Sequence, residues 1–171
     1  MAKLTVGMAT YDDYDGVFFS VQAIRMYHPE ITDQIEILVI DNNPDSPSGK
    51  EVRRLIEDYV PNGRYIPFTE HNSSFVKGKV FEEAKGDYVI CIDCHVFLVP
   101  GSLKKLIDYY SVFPNTKDLI QGPLMHDNLK SFSTHFEPEW RGQMFGTWAT
   151  NQEALDKGDP FEIQMQGCGL L

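Results

Sequence analysis

Residues 86–95 read GDYVICIDCH, and this segment decides the fold that the sequence predicts. Five apolar residues, 88–92, stand between Gly-Asp and a polar ending, which is typical of a short strand buried on both faces of a parallel sheet. Such a strand carries the residues after it to the carboxyl edge of the sheet, where open α/β folds bind ligands. If the extended geometry continues, Asp93 and His95 point to the same face and can hold one cation.

Around this central strand, strand and helix patterns alternate over about 110 residues, which predicts a mostly parallel α/β sheet flanked by helices. Strands are predicted at 4–8, 36–40 and 64–68, and Pro67 places the last near a sheet edge. A first helix is predicted to begin at Asp15 or a neighbour and to end at 27, and a second to begin with a Ser48–Glu51 capping box and to carry an apolar stripe that includes Tyr59. A third is predicted from Ser73 or Ser74 to Ala84, where Gly86 stops it. A fourth is predicted over 102–110, with these residues facing inward: Leu103, Leu106, Ile107 and Tyr110.

After residue 113 the pattern loses its regularity. Residues 118–122 could form a strand, 125–159 are expected to be irregular, and 166–171 resemble a strand that stops without a cap. We expect one domain, 1–171, with a nucleotide-binding half at 1–113 and a donor- and acceptor-side region at 114–171 that is incomplete at the C-terminus. The segment 125–171 would either order over a bound donor as a lid or place Trp140 and Trp148 in a core.

Composition narrows the classes of partner. The 171 residues are 42% hydrophobic and 12% aromatic, as in a globular protein, and 15 basic against 25 acidic residues give a net charge of −10. That charge disfavours sequence-independent binding to nucleic acid. No apolar run reaches the about 18 residues of a membrane span, and the N-terminus lacks a signal-peptide layout. We therefore expect a cytoplasmic protein without a transmembrane segment.

Three cysteines, an odd number, indicate no disulfide framework. Cys91 and Cys94 form a Cys-x-x-Cys that could suggest redox chemistry or half of a zinc site. On a strand, however, this odd separation points the two thiols to opposite faces, and no second pair exists. Buried or incidental thiols are the favoured interpretation.

Polar residues follow three of the predicted strands, at 10–13, 41–43 and 93–95, and parallel strands would bring them to one edge. Turn and cap preferences could explain the Asp and Asn residues, but not His95. The chain has neither Gly-x-Gly-x-x-Gly after the first strand nor a P-loop. A diphosphate would then need a divalent metal on Asp93 and His95, with Lys77 and Lys79 as further candidates for positive charge.

These motifs together resemble family-2 glycosyltransferases of GT-A fold. The matching segments are ATYD at 9–12, VIDNN at 39–43, and the GDY of 86–88 leading through Asp93-x-His95 to Pro100. The family's metal motif is Asp-x-Asp, and the Asp-x-His here is similar to that of the polypeptide N-acetylgalactosaminyltransferases. Residues 160–171 resemble their segment against the donor sugar.

This resemblance implies a metal-dependent enzyme that transfers a sugar from a nucleoside diphosphate sugar, expected to be a UDP-sugar, to an unknown glycan, lipid or protein acceptor. It implies Mn²⁺ or Mg²⁺ on Asp93 and His95, and no catalytic residue is assigned. The alternatives are a nucleotide-sugar-binding domain without turnover and, less favoured, a nucleotidyltransferase. The residues implied to contact the nucleotide sugar are Thr10 and Tyr11 against the base, Asp41 with Asn42 at the uracil N3–H, and Asp12, Lys77, Cys94 and Gly167.

Overall fold

The computed structural model describes residues 3–70, 75–158 and 160–167, and the chain divides into two compact units. We call Met1–Thr116 the sheet unit and Lys117–Leu171 the hairpin unit. Each is described by itself. In the described part of the chain, no helix is both long and apolar enough to cross a membrane.

The sheet unit alternates strands and helices, as predicted. Its four parallel strands lie in the order β3-β2-β1-β4. This confirms an α/β fold with a parallel sheet flanked by helices. Its elements are β1 Leu4–Thr10, α1 Tyr14–Tyr27, a 3-10 turn at Pro29–Ile31, β2 Ile35–Asp41, α2 Pro47–Tyr59, β3 Gly63–Pro67, α3 Val76–Glu83, β4 Tyr88–Asp93 and α4 Ser102–Val112.

The core of the sheet unit follows from its apolar runs. All seven residues of β2 are buried, because the strand lies between β1 and β3 and is covered on both faces. On one face Leu38 and Ile40 pack with Val76 and Val80 of α3. Edge strand β3 ends at Pro67, where the missing N–H is tolerated, as the sequence predicts.

The position predicted for residues 88–92 is partly wrong. Within the residues described, β4 lies at the opposite edge of the sheet and pairs with β1 alone. Its first half, Tyr88–Ile90, is therefore only half-buried, while Cys91 and Ile92 are buried. The strand ends at Asp93, and residues 94 and 95 form a turn.

Two helix-boundary predictions are corrected. Ser46, not Ser48, caps α2: its Oγ accepts the Gly49 N–H at 2.9 Å, and Pro47 occupies the first helical turn. Tyr59 is 55% exposed and lies off the buried stripe. The predicted starts of α3 at Ser73 or Ser74 lie outside the described residues.

Gly86 does not stop α3, which ends at Glu83 with Ala84 as its C-cap. A Cβ at Gly86 would lie 2.5 Å from the Thr5 backbone nitrogen. The glycine is required because the chain passes close to β1 there, and not because a helix ends. In α4, Leu103 and Ile107 are buried as predicted, whereas Leu106 and Tyr110 are half-buried.

The hairpin unit is more regular than the sequence predicts. Strands β5 (Leu124–Met125) and β6 (Phe132–Ser133) pair antiparallel, as do β7 (His135–Arg141) and β8 (Met144–Ala149), and helix α5 spans Gln152–Lys157. The irregular segment predicted at 125–159 is therefore wrong. The strand suggested at 118–122 does not form.

A hydrogen-bonded turn closes the β7–β8 hairpin. Arg141 pairs with Met144 across a two-residue loop whose first residue, Gly142, has φ +62°. Glycine adopts that conformation without strain, which suits a tight hairpin. Trp148 packs on Phe136 with ring centroids 4.1 Å apart, whereas Trp140 is 72% exposed. Of the strand-like ending predicted at 166–171, residues 168–171 lie outside the described residues, and 166–167 form no strand.

Candidate functional site

The carboxyl ends of β1, β2 and β4 lie side by side. In the sheet register Thr10 pairs with Asp41, and Ala9 pairs with Asp93. Polar residues that are distant in sequence therefore meet at one edge, as the three strand ends predicted. This is the edge at which open α/β sheets bind ligands.

Asp93 makes a short ion pair at this edge. Its Oδ1 lies 2.6 Å from the Lys77 Nζ, and both side chains are about one-third exposed. The structure thus brings together two predicted site residues from β4 and α3. Lys79, the other lysine considered, pairs instead with Glu82 at 3.0 Å and Glu83 at 3.2 Å on its own helix.

His95 lies beside Asp13, for which the sequence pattern predicts no role of its own. The His95 Nδ1 is 3.4 Å from the Asp13 Oδ2, and the Cys94 Sγ donates to the same oxygen at 3.2 Å. Ligand atoms of these three residues all lie within 4.8 Å of one another, and Asp93 is not in that group among the residues described. The sequence feature that could have pointed to Asp13 is its place in the acidic segment directly after β1.

Asp13 also begins α1, because its Oδ1 accepts the Gly16 N–H at 2.9 Å. Burial would raise the pKa of this carboxyl, but the hydrogen bonds from Gly16, Cys94 and His95 outweigh it and lower the pKa below its ordinary value. Asp13 is therefore an anion facing the exposed imidazole of His95.

Cys94 differs from its neighbours as a possible ligand. Burial, together with the hydrogen bond to Asp13, raises the pKa of its thiol to about 12. The thiol is buried and donates its hydrogen to Asp13, and sulfur is the least suited of the three groups to a hard cation. Carboxylate and imidazole groups remain as the donors for a hard or borderline divalent cation. Burial also raises the pKa of Cys91, to about 11, so neither thiol of the Cys-x-x-Cys is disposed to redox chemistry.

Asp41 and Asn42 reach the edge, but both are buried. The Asp41 Oδ2 accepts the Tyr65 hydroxyl at 2.8 Å, its Oδ1 accepts the Asn43 N–H at 2.8 Å, and the side chain has no exposed surface. The Asn42 amide donates to the Phe68 carbonyl at 2.7 Å. Direct contact between Asp41 and a uracil ring stays a prediction, and this geometry does not favour it.

The segment after β1 divides into buried and exposed residues. Thr10 is 4% exposed, and its hydroxyl lies 3.5 Å from the Asp13 carbonyl. Tyr11 is 63% exposed, so its ring is available to a ligand at the sheet edge. Asp12 is exposed and adopts φ +58°, a left-handed conformation that Asp tolerates in tight turns.

Gly167 belongs to the hairpin unit. Its N–H donates to the Gln121 side chain, and a Cβ there would lie 2.5 Å from the Trp148 ring. Glycine is thus needed for packing against Trp148. Its contact with a donor sugar stays a prediction.

Comparison with known proteins shows the family to which this chain belongs. The profile of the glycosyl transferase family 2 domain matches residues 5–164. The chain belongs to this family. One solved structure with a similar fold is S. aureus TarS (1–349) in complex with UDP-GlcNAc. Its TM-score is 0.54 and its sequence identity 15%, and the match covers 70% of this chain and 37% of that one. Another is the mannosyltransferase PcManGT of Pyrobaculum calidifontis in complex with GDP-Man and Mn²⁺, with TM-score 0.54 and 17% identity over 71% of this chain and 34% of that one.

These likenesses establish the GT-A fold for this glycosyl transferase family 2 chain. The chain spans less than half the length of either solved structure. No curated protein matches the sequence.

Proposed function

We propose that this family 2 chain binds a nucleoside diphosphate sugar, a UDP-sugar, with a divalent cation and transfers the sugar to an acceptor. The observation that carries the proposal is the shared edge of β1, β2 and β4, where Asp93 lies in register with Ala9 and Thr10 with Asp41. Family membership supports the reaction class.

The proposed ligands, Asp93 and His95, carry oxygen and imidazole donors that suit Mn²⁺ or Mg²⁺, and in the described part of the chain Asp93 lies outside the close group of Asp13, Cys94 and His95, so the two ligands would have to come together on the cation. Asp93 is accessible and already pairs with a cation, the Lys77 ammonium at 2.6 Å. His95 offers an exposed imidazole with the anionic Asp13 beside it. Oxygen ligands suit both metals, and an imidazole shifts the preference towards Mn²⁺. When bound, the cation would offset the negative charge of the departing diphosphate.

The protein's own residues divide the remaining work. Lys77 would supply positive charge to the diphosphate, because its ammonium reaches the same edge as Asp93. The exposed Tyr11 ring would lie against the base, with Thr10 and Asp12 shaping that loop. Selection of uracil by Asp41 and Asn42 is the part of the proposal that the geometry supports least, because Tyr65 and Phe68 hold these two side chains within the protein.

The proposal is tested by calorimetry with Mn²⁺ and a panel of UDP, CDP and GDP. We expect UDP to bind best and only with the metal. Asp93→Asn should weaken Mn²⁺-dependent UDP binding about tenfold or more, because it removes a charged ligand at nearly constant volume. Asp87→Asn is the matched control, since Asp87 is exposed just before the amino end of β4 and should leave the affinity unchanged.

Equal affinity of the Asp93→Asn variant and the wild type would refute the metal assignment, and a preference for CDP or GDP would remove Asp41 from base selection. Release of sugar from a labelled UDP-sugar in the presence of an acceptor separates an enzyme from a binding domain, because binding alone releases none.

A further inference from the structure

Residues 94–98 form a segment that leaves the sheet immediately after Asp93 and carries His95. Exposure alternates along it: Cys94 is buried, Val96 and Leu98 are half-buried, and His95 and Phe97 are exposed, at 69% for the His95 side chain and 66% for Phe97. The segment begins with the turn at residues 94 and 95 and keeps one side of its chain towards the protein as far as Leu98. Since β4 has ended, strand pairing does not hold this segment.

Helix α1 supplies the hydrogen-bond donors that the segment needs. The Ser20 Oγ donates to the Cys94 carbonyl at 2.8 Å and lies 3.2 Å from the Val96 carbonyl. Two turns later, the His28 Nε2 lies 3.3 Å from the Leu98 carbonyl. A carbonyl oxygen only accepts, so the Nε2 carries the hydrogen in that contact.

These contacts fall on every second carbonyl, those of residues 94, 96 and 98. Ser20 on α1 and His28, the residue that caps the C-terminus of α1, are both fully buried. Buried backbone carbonyls without a donor are costly, so removing a donor would free the segment from α1. The single hydrogen of the Ser20 hydroxyl is directed mainly to the Cys94 carbonyl at 2.8 Å, with the Val96 carbonyl as the more distant acceptor at 3.2 Å, so Ser20 restrains the backbone on both sides of His95.

We propose that Ser20 and His28 are positioning residues for His95: they bind the backbone of 94–98 so that the imidazole is held beside Asp13 at the sheet edge. The inference rests on the proposed function, in which His95 contributes to the cation site. Groups that orient a metal ligand commonly alter metal affinity about tenfold or more when removed.

A purely structural role would also lower stability, so the test needs a matched variant. Thr5 provides it: its hydroxyl is fully buried, donates to the Glu36 carboxylate at 2.7 Å and accepts the Gly86 N–H at 2.9 Å. It lies near the amino end of β1, opposite the ligand edge. The Lys85 N–H lies a further 3.2 Å from this hydroxyl, so Thr5→Val removes a buried hydroxyl with three hydrogen bonds from the same unit without touching segment 94–98.

Two quantities are measured for each variant. The first is the Mn²⁺ dissociation constant in the presence of UDP, from the electron paramagnetic resonance signal of unbound Mn²⁺. The second is the rate of hydrogen exchange of residues 93–100 without metal. For Ser20→Ala we expect about tenfold weaker Mn²⁺ binding and faster exchange, although alanine itself favours a helix. His28→Leu should act in the same direction, and His28→Gln, which keeps an N–H donor, should restore both values towards wild type. Thr5→Val should lower the unfolding midpoint and leave both quantities unchanged.

Equal loss of Mn²⁺ affinity in Ser20→Ala and Thr5→Val would overturn the positioning role, because general destabilisation would then account for it. Unchanged exchange of residues 93–100 in Ser20→Ala would overturn it as well. If the wild-type chain binds no Mn²⁺, the proposed function fails, and the exchange measurement alone then decides whether α1 holds the segment.

Discussion

The sheet unit and the hairpin unit of this chain bury very different shares of their apolar side chains. In the part of the chain that the structure describes, the buried apolar residues from Leu4 to Ile107 all belong to the sheet unit, and Phe136 alone belongs to the hairpin unit. Both units expose large apolar side chains, but in the hairpin unit the exposed ones far outnumber the single buried one among the described residues: Leu119, Leu124, Met125, Leu129, Trp140, Met144, Phe145 and Phe161. A unit with so few buried contacts is expected to open locally at lower free energy than the sheet.

The largest expected effect comes from the two cores. Ile40→Ala should lower the free energy of unfolding of the sheet unit by about 2–5 kcal/mol, because Ile40 is fully buried between β1 and β3. Phe136→Ala should instead speed hydrogen exchange within 135–149 and leave the protection of β1 and β2 unchanged. Urea unfolding and hydrogen-exchange mass spectrometry measure the two effects.

Val112→Ala is the control for these variants, since Val112 is 68% exposed on α4 and should change stability by less than about 0.5 kcal/mol. If Phe136→Ala reduced the protection of β1 and β2 as strongly as Ile40→Ala, the two units would unfold as one cooperative body, and the contrast between them would fail.

The same difference explains how much of the fold the sequence predicts. In the sheet unit, apolar runs such as 36–40 are long and bounded by turn residues, so their strands can be located without the structure. In the hairpin unit, β7 reads HFEPEWR and contains a proline, two acids and only two large apolar residues. Its pairing depends on the Gly142 turn and on the packing of Phe136 with Trp148, which no local pattern of this sequence indicates.

The candidate site was predictable at the level of strand ends but not at the level of contacts. Asp93 and Lys77 could be named from the residue pattern and the missing phosphate loop, and they meet in the structure. Asp13 stands in the polar segment that follows β1, but its contact with His95 could not be predicted, because it depends on the turn at 94–95 and on the start of α1. The burial of Asp41 likewise follows from Tyr65 on a neighbouring strand, a partner 24 residues away.

A second prediction concerns acid stability, which should depend on Glu36 in the sheet unit. Burial would raise the pKa of this carboxyl, but hydrogen bonds from Arg64, Thr5 and the Lys85 N–H lower it below its ordinary value. A carboxyl with a depressed folded-state pKa stabilises the fold above its unfolded pKa of about 4.3, and this stabilisation is lost as the pH falls through the folded-state value.

Thermal unfolding between about pH 7 and pH 3 tests this dependence. Glu36→Gln should lower the Tm at pH 7 and show a smaller further decrease on acidification than the wild type. Glu153→Gln is the matched control in the hairpin unit: its pair with Lys157 is exposed, at 76% for Glu153, so its Tm profile should follow that of the wild type. Identical acid profiles for Glu36→Gln and the wild type would show that other groups govern the transition.

The smallest expected effects come from one kind of helix cap present in both units. Ser46 caps α2, which buries Val52, Leu55 and Ile56, whereas Asn151 caps α5, which buries no residue in the described range. Ser46→Ala should therefore lower the free energy of unfolding of the sheet unit by about 1 kcal/mol. Ser48→Ala should change it little, because Ser48 lies inside the helix.

Asn151→Ala should leave the urea midpoint unchanged and speed hydrogen exchange only within 152–157, because nothing buried depends on that helix. A midpoint shift for Asn151→Ala as large as that for Ser46→Ala would mean that α5 contributes to the global transition, and the two units would then differ less in stability than their burial indicates.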